Sequence, residues 1–355
     1  MTELASELAG PEFAERPPST VITGAAGWLG QSLVSRLGSE PGRRLRCLVR
    51  DPGQADLVHG RAPDAEVVAG DLRDPSALDR LFEGLEDPTV FHAAAVIHPG
   101  SGRTRELFDV NVGGTSLVLD RARRASASRV VHVSSNSPFG FNPSRDDVFD
   151  ESSPYAPVGG YGRSKMEAEQ RVLQLADRGD VDAVIVRAPW FYGPNQPARQ
   201  TQFFTTVRKG LFPLVGDGSR RRSMVYVDNL VEGLLRAERS QGVSGRVFWV
   251  ADAEPYPMSR IMDAVKAALS RHGLAVADRQ LRLPGGVERL AELVDNGLQG
   301  LGRYSQSVHV MSEMNRTIAC SVDGAAEALG YRPAVAVEEG MDRSVAWCLD
   351  QGMDL

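Results

Sequence analysis

The chain has 355 residues, 42% of them apolar, enough to bury one large core or two, and a net charge of −6 at pH 7. Both signs of charge are interspersed, with no basic stripe interleaved with aromatics and no stretch reaching the ~18 apolar residues of a membrane span; this argues against nucleic-acid and membrane partners. Three scattered cysteines (Cys47, Cys320, Cys348) exclude a disulfide framework or cysteine metal site and point to the reducing cytoplasm.

The opening, MTELASELAGPEFAERPPST, is acidic and broken by prolines, without the basic flank and apolar run of a signal peptide. It is expected to be frayed to about Arg16. Strand and helix signals then alternate. STVITG reads as a strand and WLGQSLVSRLGSE as a helix, with apolar spacing at Leu29, Leu33, Val34 and Leu37. LRCLVR and EVVAGDL read as strands, SALDRLFEGLE as a helix and TVFHAAAV as a fourth strand. GTSLVLDRARRAS is a helix, RVVHVSS a fifth strand, GYGRSKMEAEQRVLQLADRG a helix and DAVIVRAP a sixth strand.

This alternation predicts an α/β fold, a doubly wound parallel sheet of the Rossmann type. Beyond Pro189 the rhythm changes. YVDNLVEGLLRAER and GRVFWVAD are expected to return to the sheet, while MSRIMDAVKAALSRHG and VERLAELVDNGLQGLG form amphipathic helices of a smaller C-terminal α/β lobe. The expected division is residues 17–187 with 225–252 for the Rossmann domain, and 188–224 with 253–355 for a substrate-binding lobe.

VITGAAGWLG places Gly24, Gly27 and Gly30 between a strand and a helix. The first glycine allows the tight turn, the second lets a pyrophosphate reach the backbone, and the third lets helix and strand pack closely. In this context the three glycines predict dinucleotide binding. Arg50, twenty residues past Gly30, is placed to accommodate the 2′-phosphate of NADP; Asp51, one residue on, is the alternative contact and favours NAD. The six histidines show no metal-ligand spacing, and His92 and His132 fall in strand patterns as core residues.

Tyr161 and Lys165 are four apart, on one face of a helix that follows the fifth strand. A lysine ammonium close to a phenol favours the phenolate and makes tyrosine a usable acid/base near pH 7. A hydroxyl beside that phenol, such as Ser135, orients a substrate oxygen as it gains charge.

From about Ser19 to Asp350 the chain resembles the extended short-chain dehydrogenase/reductases, the superfamily of nucleotide-sugar epimerases, dihydroflavonol reductases and 3β-hydroxysteroid dehydrogenases. The resemblance rests on TGAAGWLG, GDL (Gly70–Leu72), HAAA (His92–Ala95), NVGGT (Asn111–Thr115), VSSNSPFG (Val133–Gly140), YGRSK (Tyr161–Lys165), RAPWFYGP (Arg187–Pro194) and VYVDN (Val225–Asn229). It implies a catalytic set of Ser135, Tyr161 and Lys165, with Lys165 also holding the nicotinamide ribose. Asn111 would brace the lysine region, unless it merely caps the following helix.

The resemblance also implies that Asp71 and Leu72 border the adenine and that Ala93, Ala94 and Ala95 pass under the cofactor. Trp28, Leu29, Ser134, Ala188 and Pro189 would complete the cofactor surface. Substrate contacts would come from Ser135, Asn136, Trp190 and Arg222, and the family is often dimeric. Arg222 stands where sugar-nucleotide relatives grip a diphosphate, but Trp190 replaces the asparagine those relatives carry.

Phe139, Phe141, Trp190, Phe191, Phe203 and Phe204 are expected near the pocket, with Phe203 or Phe204 instead filling the second lobe's core. The favoured expectation is an NADP(H)-dependent oxidoreductase acting on an apolar secondary alcohol or ketone. The alternative is a sugar-nucleotide epimerase or dehydratase with an internal NAD redox cycle. A silent cofactor-binding regulator would have lost the tyrosine or the lysine, and both are present.

Overall fold

The computed structural model describes residues 19–99, 102–284, 286–303, 305, 308 and 313–355; the opening to Arg16 lies outside them. Strands β1 (Ser19–Thr23), β2 (Arg44–Val49), β3 (Glu66–Ala69), β4 (Thr89–His92), β5 (Arg129–Ser135) and β6 (Ala183–Ala188) alternate with helices α1 (Trp28–Gly38), α2 (Ala55–His59), α3 (Pro75–Phe82), α4 (Arg105–Phe108), α5 (Thr115–Arg124) and α6 (Gly159–Asp177). Then come β7 (Trp190–Tyr192), α7 (Ala198–Arg208), β8 (Leu214–Val215), β9 (Arg221–Arg222), β10 (Met224–Tyr226) and α8 (Val227–Arg239). The chain closes through β11 (Val247–Trp249), β12 (Tyr256–Pro257), α9 (Met258–Arg271), β13 (Arg282–Leu283), α10 (Val287–Gly300), α11 (Asp323–Ala328) and α12 (Val337–Asp350).

Seven strands form one parallel sheet in the order β11-β6-β5-β4-β1-β2-β3. Successive residues of each strand face opposite sides, so neighbouring apolar residues serve different cores. Ile22, Phe91 and Val131 meet Leu33 and Leu37 of α1 and Leu230 and Leu234 of α8. Val21, Val90 and Val130 meet Leu78 of α3, Val118 of α5 and Val172 of α6. Burying both faces explains why these strands read as unbroken apolar runs.

The second lobe has its own core, in which Phe203, Phe204 and Val207 of α7 pack with Ile261, Met262, Met341 and Val345 from α9 and α12. The expected stretch 253–355 is not wholly in that lobe. Ala325, Leu329 and Tyr331, in and after α11, pack into the Rossmann core beside Leu230 and Leu234. Two short apolar side chains and a ring are too weak a periodic signal to reveal that return from sequence.

β1 and β4 are neighbours at the point where the strand order reverses, so their carboxyl ends, Thr23 and His92, flank a crevice. Crevices of this kind are where open α/β sheets bind ligands.

Candidate active site

The turn after β1 is built around two close approaches. Gly24 has φ +73°, and a Cβ there would lie 2.8 Å from the Ala94 nitrogen; a Cβ on Gly30 would lie 2.0 Å from the Gly24 oxygen. No side chain larger than hydrogen fits either position. Gly27 donates its N–H to the Gly24 carbonyl (2.9 Å) and begins α1 with no side-chain cap, which leaves first-turn N–H groups for an anion.

Two cavities meet over this turn, sharing Gly24, Gly27, Ala93 and Ala95. The first, about 250 Å³, also takes in Ala94, Arg50, Gln54, Asp71, Leu72 and Arg73. Arg50 is exposed at the end of β2. The Asp51 carboxylate is turned onto its own loop, where it accepts from the Gly53 N–H at 2.9 Å and caps the short turn Pro52–Gln54. Asp71 is forked to Arg73, whose Nε and Nη2 donate at 2.8 and 2.7 Å and hold the Asp71 carboxyl below the usual carboxylate range. Arg73 is a second cation in this cavity. It follows GDL without any pattern that would have singled it out.

The second cavity, about 440 Å³, gathers most of the remaining candidates: Trp28, Leu29, Gly30, Ser134, Ser135, Asn136, Tyr161, Lys165, Ala188, Pro189 and Trp190. Ser135 ends β5, and its Oγ accepts from the Ser137 N–H at 3.3 Å. Tyr161 lies in the first turn of α6. A Cβ on Gly162 would meet the Ser137 carbonyl at 2.5 Å, so this glycine lets α6 press directly on the turn that follows Ser135. The glycine inside YGRSK was its only signal in the sequence.

Asn111 fixes the same turn from the other side. It is buried in a π-helical segment, Asp109–Gly114, of the kind frequent at functional sites. Its Oδ1 accepts from the Val96 N–H (2.8 Å), while Nδ2 donates to the Val96 carbonyl (2.9 Å) and to Ser164 Oγ (3.0 Å). Ser164 in turn donates to the Tyr161 carbonyl at 2.8 Å. The asparagine therefore does not cap α5. It ties the chain beyond β4 to the turn bearing Tyr161, and Ser164 is the link that sequence reasoning missed.

Lys165 is almost fully buried. Its Nζ donates to the Val133 carbonyl at 2.8 Å and lies 3.3 Å from His132 Nε2. Burial pulls its pKa down to about 8, with the Glu169 carboxylate one turn on opposing the shift. Burial, reinforced by the Lys165 charge, keeps His132 far below its ordinary pKa, and it is a neutral neighbour at pH 7. His92, pushed down to about 3 mainly by burial, spans Thr23 Oγ1 (2.7 Å) and Thr115 Oγ1 (2.8 Å) behind the crevice. The two histidines are core residues, yet one of them touches Lys165.

The aromatic expectations divide. Trp190 and Phe191 line the cavity, with Ile97 and Pro197 beside them. Trp28 bridges the lobes: its ring lies 4.6 Å from Phe191 and its Nε1 donates to the Pro194 carbonyl at 2.6 Å. Phe139 is not at the pocket. It is buried with Phe149, Tyr155 and Trp249 around the Arg187 guanidinium, 4.2 Å from its ring, and Arg187 is itself paired with buried Glu169. Phe141 packs against Arg316 at 5.2 Å, and both Phe203 and Phe204 fill the second lobe's core. Arg222, on β9, does not line the cavity; its guanidinium is held by the carbonyl and carboxylate of Glu313.

This chemistry sits on a recognisable framework. The protein y4nL of Sinorhizobium fredii is 42% identical over 94% of this chain and 96% of its own length. A Stigmatella aurantiaca enzyme, the ketoreductase of 4-hydroxy-2-methyl-3-oxo-4-farnesyl-3,4-dihydroquinoline-1-oxide, is 30% identical over 91% of this chain and 94% of its own. The fold matches that of DesIV, a dTDP-glucose 4,6-dehydratase of Streptomyces venezuelae, with a TM-score of 0.73 at 22% identity over 94% and 97% of the two chains. The profile of the NAD dependent epimerase/dehydratase family matches residues 20–251, and this chain is an enzyme of that family, within the extended short-chain dehydrogenase/reductases.

Proposed function

We propose that this enzyme reduces the carbonyl of an apolar, ring-containing ketone, or oxidises the corresponding alcohol, with NADP(H). The observation that carries this reading is the composition of the second cavity. Ser135, Tyr161 and Lys165 contribute polar groups to a lining that also carries Trp190, Phe191 and Pro197, while Arg222 is drawn away to Glu313. A sugar nucleotide needs convergent cations and amides for its diphosphate.

The residues present fit a dinucleotide. The glycine turn would be filled by any Cβ, and the buried Ser134 Oγ on the cavity surface has no protein partner. Gly24, Gly27 and the start of α1 would hold the pyrophosphate, and Ala93 to Ala95 would lie beneath the cofactor. Arg50 would take the 2′-phosphate, supported by the engagement of Asp51 in its own turn. When bound, the nicotinamide supplies or accepts hydride.

The remaining work falls to the chain. Ser135 Oγ hydrogen-bonds the substrate oxygen, and Tyr161 gives that oxygen its proton in reduction or takes it in oxidation. The Lys165 ammonium favours the phenolate and also holds the ribose, anchored meanwhile by the Val133 carbonyl. Asn111 acts through Ser164 as a positioning residue. The ketoreductase relative, whose substrate name includes a ring ketone and a farnesyl chain, supports this substrate class.

The alternative, a sugar-nucleotide epimerase or dehydratase, draws on Arg222, whose buried Nε has no partner. One experiment separates the two. NADPH oxidation should proceed with hydrophobic cyclic or aryl ketones, while UDP- and TDP-sugars should neither turn over nor raise the melting temperature, as any ligand of the folded state must. A clear shift with a sugar nucleotide, abolished by Arg222→Ala, would establish the alternative instead.

A further inference from the structure

Among the described residues lining the second cavity, two buried polar side-chain atoms have no hydrogen-bond partner: Ser134 Oγ on the Rossmann wall and Gln200 Nε2 on the second-lobe wall. The first belongs with the cofactor surface. The second has no role in the chemistry described above.

Gln200, on α7, is only 4% exposed. Its Oε1 accepts from Trp190 Nε1 at 3.3 Å. An indole N–H can only donate, so this contact fixes which end of the amide is oxygen and which is nitrogen. Phe203 stands edge-on to Trp190 with ring centres 5.4 Å apart, steadying the indole that steadies the amide. What remains is an NH₂ group with two donor hydrogens, held in an otherwise apolar wall.

A donor left unpaired in a protein interior is destabilising, so its retention calls for a partner. Solvent does not reach Nε2 in this structure. A partner therefore reaches it only when a molecule bound against this side of the cavity turns the amide enough to uncover it.

We propose that Gln200 is a substrate-binding residue that donates a hydrogen bond to an acceptor oxygen on the ketone, at a position remote from the reacting carbonyl. The acceptor is a carbonyl, ether or hydroxyl oxygen. A purely donating group does not fit, because the amide nitrogen can only donate. The substrate is thus an apolar ring ketone with a second oxygen function, and a hydrocarbon analogue is discriminated against because it leaves the donor unpaired. This rests on the ketone reading above.

The test uses 2-decalone together with analogues bearing an ether or carbonyl oxygen in the far ring, assayed with NADPH on wild type, Gln200→Glu and Gln200→Leu. Gln200→Glu keeps an acceptor for Trp190 and, assayed at pH 9 where the carboxylate is ionised, carries no donor; Gln200→Leu removes both. Wild type should favour the best oxygenated analogue by about tenfold in kcat/KM, expressed mainly in KM, which is the scale of one hydrogen bond. Both variants should lose that preference while still reducing 2-decalone. Equal use of all probes by wild type, or a preference that survives in either variant, would overturn the proposal. If wild type neither reduces nor is thermally stabilised by any of these ketones, the functional reading fails and this inference fails with it.

Discussion

Lys165→Met should match or exceed the stability of the cofactor-free wild type at neutral pH and lose ground to it as the pH rises. In the unfolded chain the lysine titrates at its ordinary 10.5, and in the folded protein at about 8. Between those values the unfolded state binds more protons, so the stability of wild type rises with pH across that window. Below pH 8 the whole cost of carrying a buried ammonium is present, and at about 1.4 kcal/mol per pH unit it comes to roughly 3 kcal/mol. Methionine has similar length and no charge, but it strips the Val133 carbonyl of its donor, a loss of about 1–3 kcal/mol that does not depend on pH. The variant should therefore equal or exceed wild type at pH 7 and fall below it by pH 10, with a swing of roughly 2–3 kcal/mol. Urea unfolding of both proteins at pH 7, 8.5 and 10 measures the difference directly. A difference that stays constant with pH, or grows in favour of the variant, would refute the buried-ammonium argument.

Tyr161→Phe should leave NADPH affinity within a factor of a few by fluorescence titration and lower turnover by ~10²-fold or more, the scale of losing a positioned acid/base group. Arg50→Asp should weaken NADPH and strengthen NADH in the same titration, because an arginine–phosphate pair becomes a repulsion; an unchanged preference would move recognition elsewhere in the first cavity. Gly30→Ala should cost about 1–3 kcal/mol or more in urea unfolding, since its Cβ would lie 2.0 Å from the Gly24 oxygen. Gly297→Ala in α10, where a Cβ meets nothing within 4 Å, should be neutral or stabilising by up to ~1 kcal/mol.

Much of this candidate site was legible because the residues lining its cavities follow local spacing. Three glycines between a strand and a helix have few other uses, and Tyr161 and Lys165 share a helix face at any tertiary arrangement. The misses are cases where a distant partner decides. Phe139 reads as a pocket aromatic from its place after β5. It is instead drawn inward by Arg187, a charge in the middle of an apolar strand, neutralised by Glu169 from α6. Arg222 likewise falls where a ligand cation is expected, and Glu313, 91 residues later, takes its guanidinium. Nothing near either residue in the sequence announces the partner. Gln200 had no signal at all, because an isolated glutamine on a helix becomes notable only when burial and an indole have fixed its orientation.

The two sides of the second cavity are held by different physics, with a consequence for how each tolerates change. The Rossmann wall is pinned by hydrogen bonds to backbone atoms: Asn111 to Val96, Ser164 to the Tyr161 carbonyl, Lys165 to the Val133 carbonyl. Such bonds have narrow geometry, and on the proposed function the groups they hold would lose rate when displaced by as little as 1 Å. The other side is held by ring contacts, Trp28 on Phe191 against the Rossmann core and Trp190 on Phe203 against the second core, with one amide among them. Apolar packing of this kind accepts volume-conserving replacements at modest cost. Substitutions at Asn111 or Ser164 should therefore appear in kcat. On the function proposed above, substitutions at Trp190, Phe191 or Gln200 should appear in KM and in substrate choice, so substrate range could change on one side of the cavity without disturbing the groups on the other.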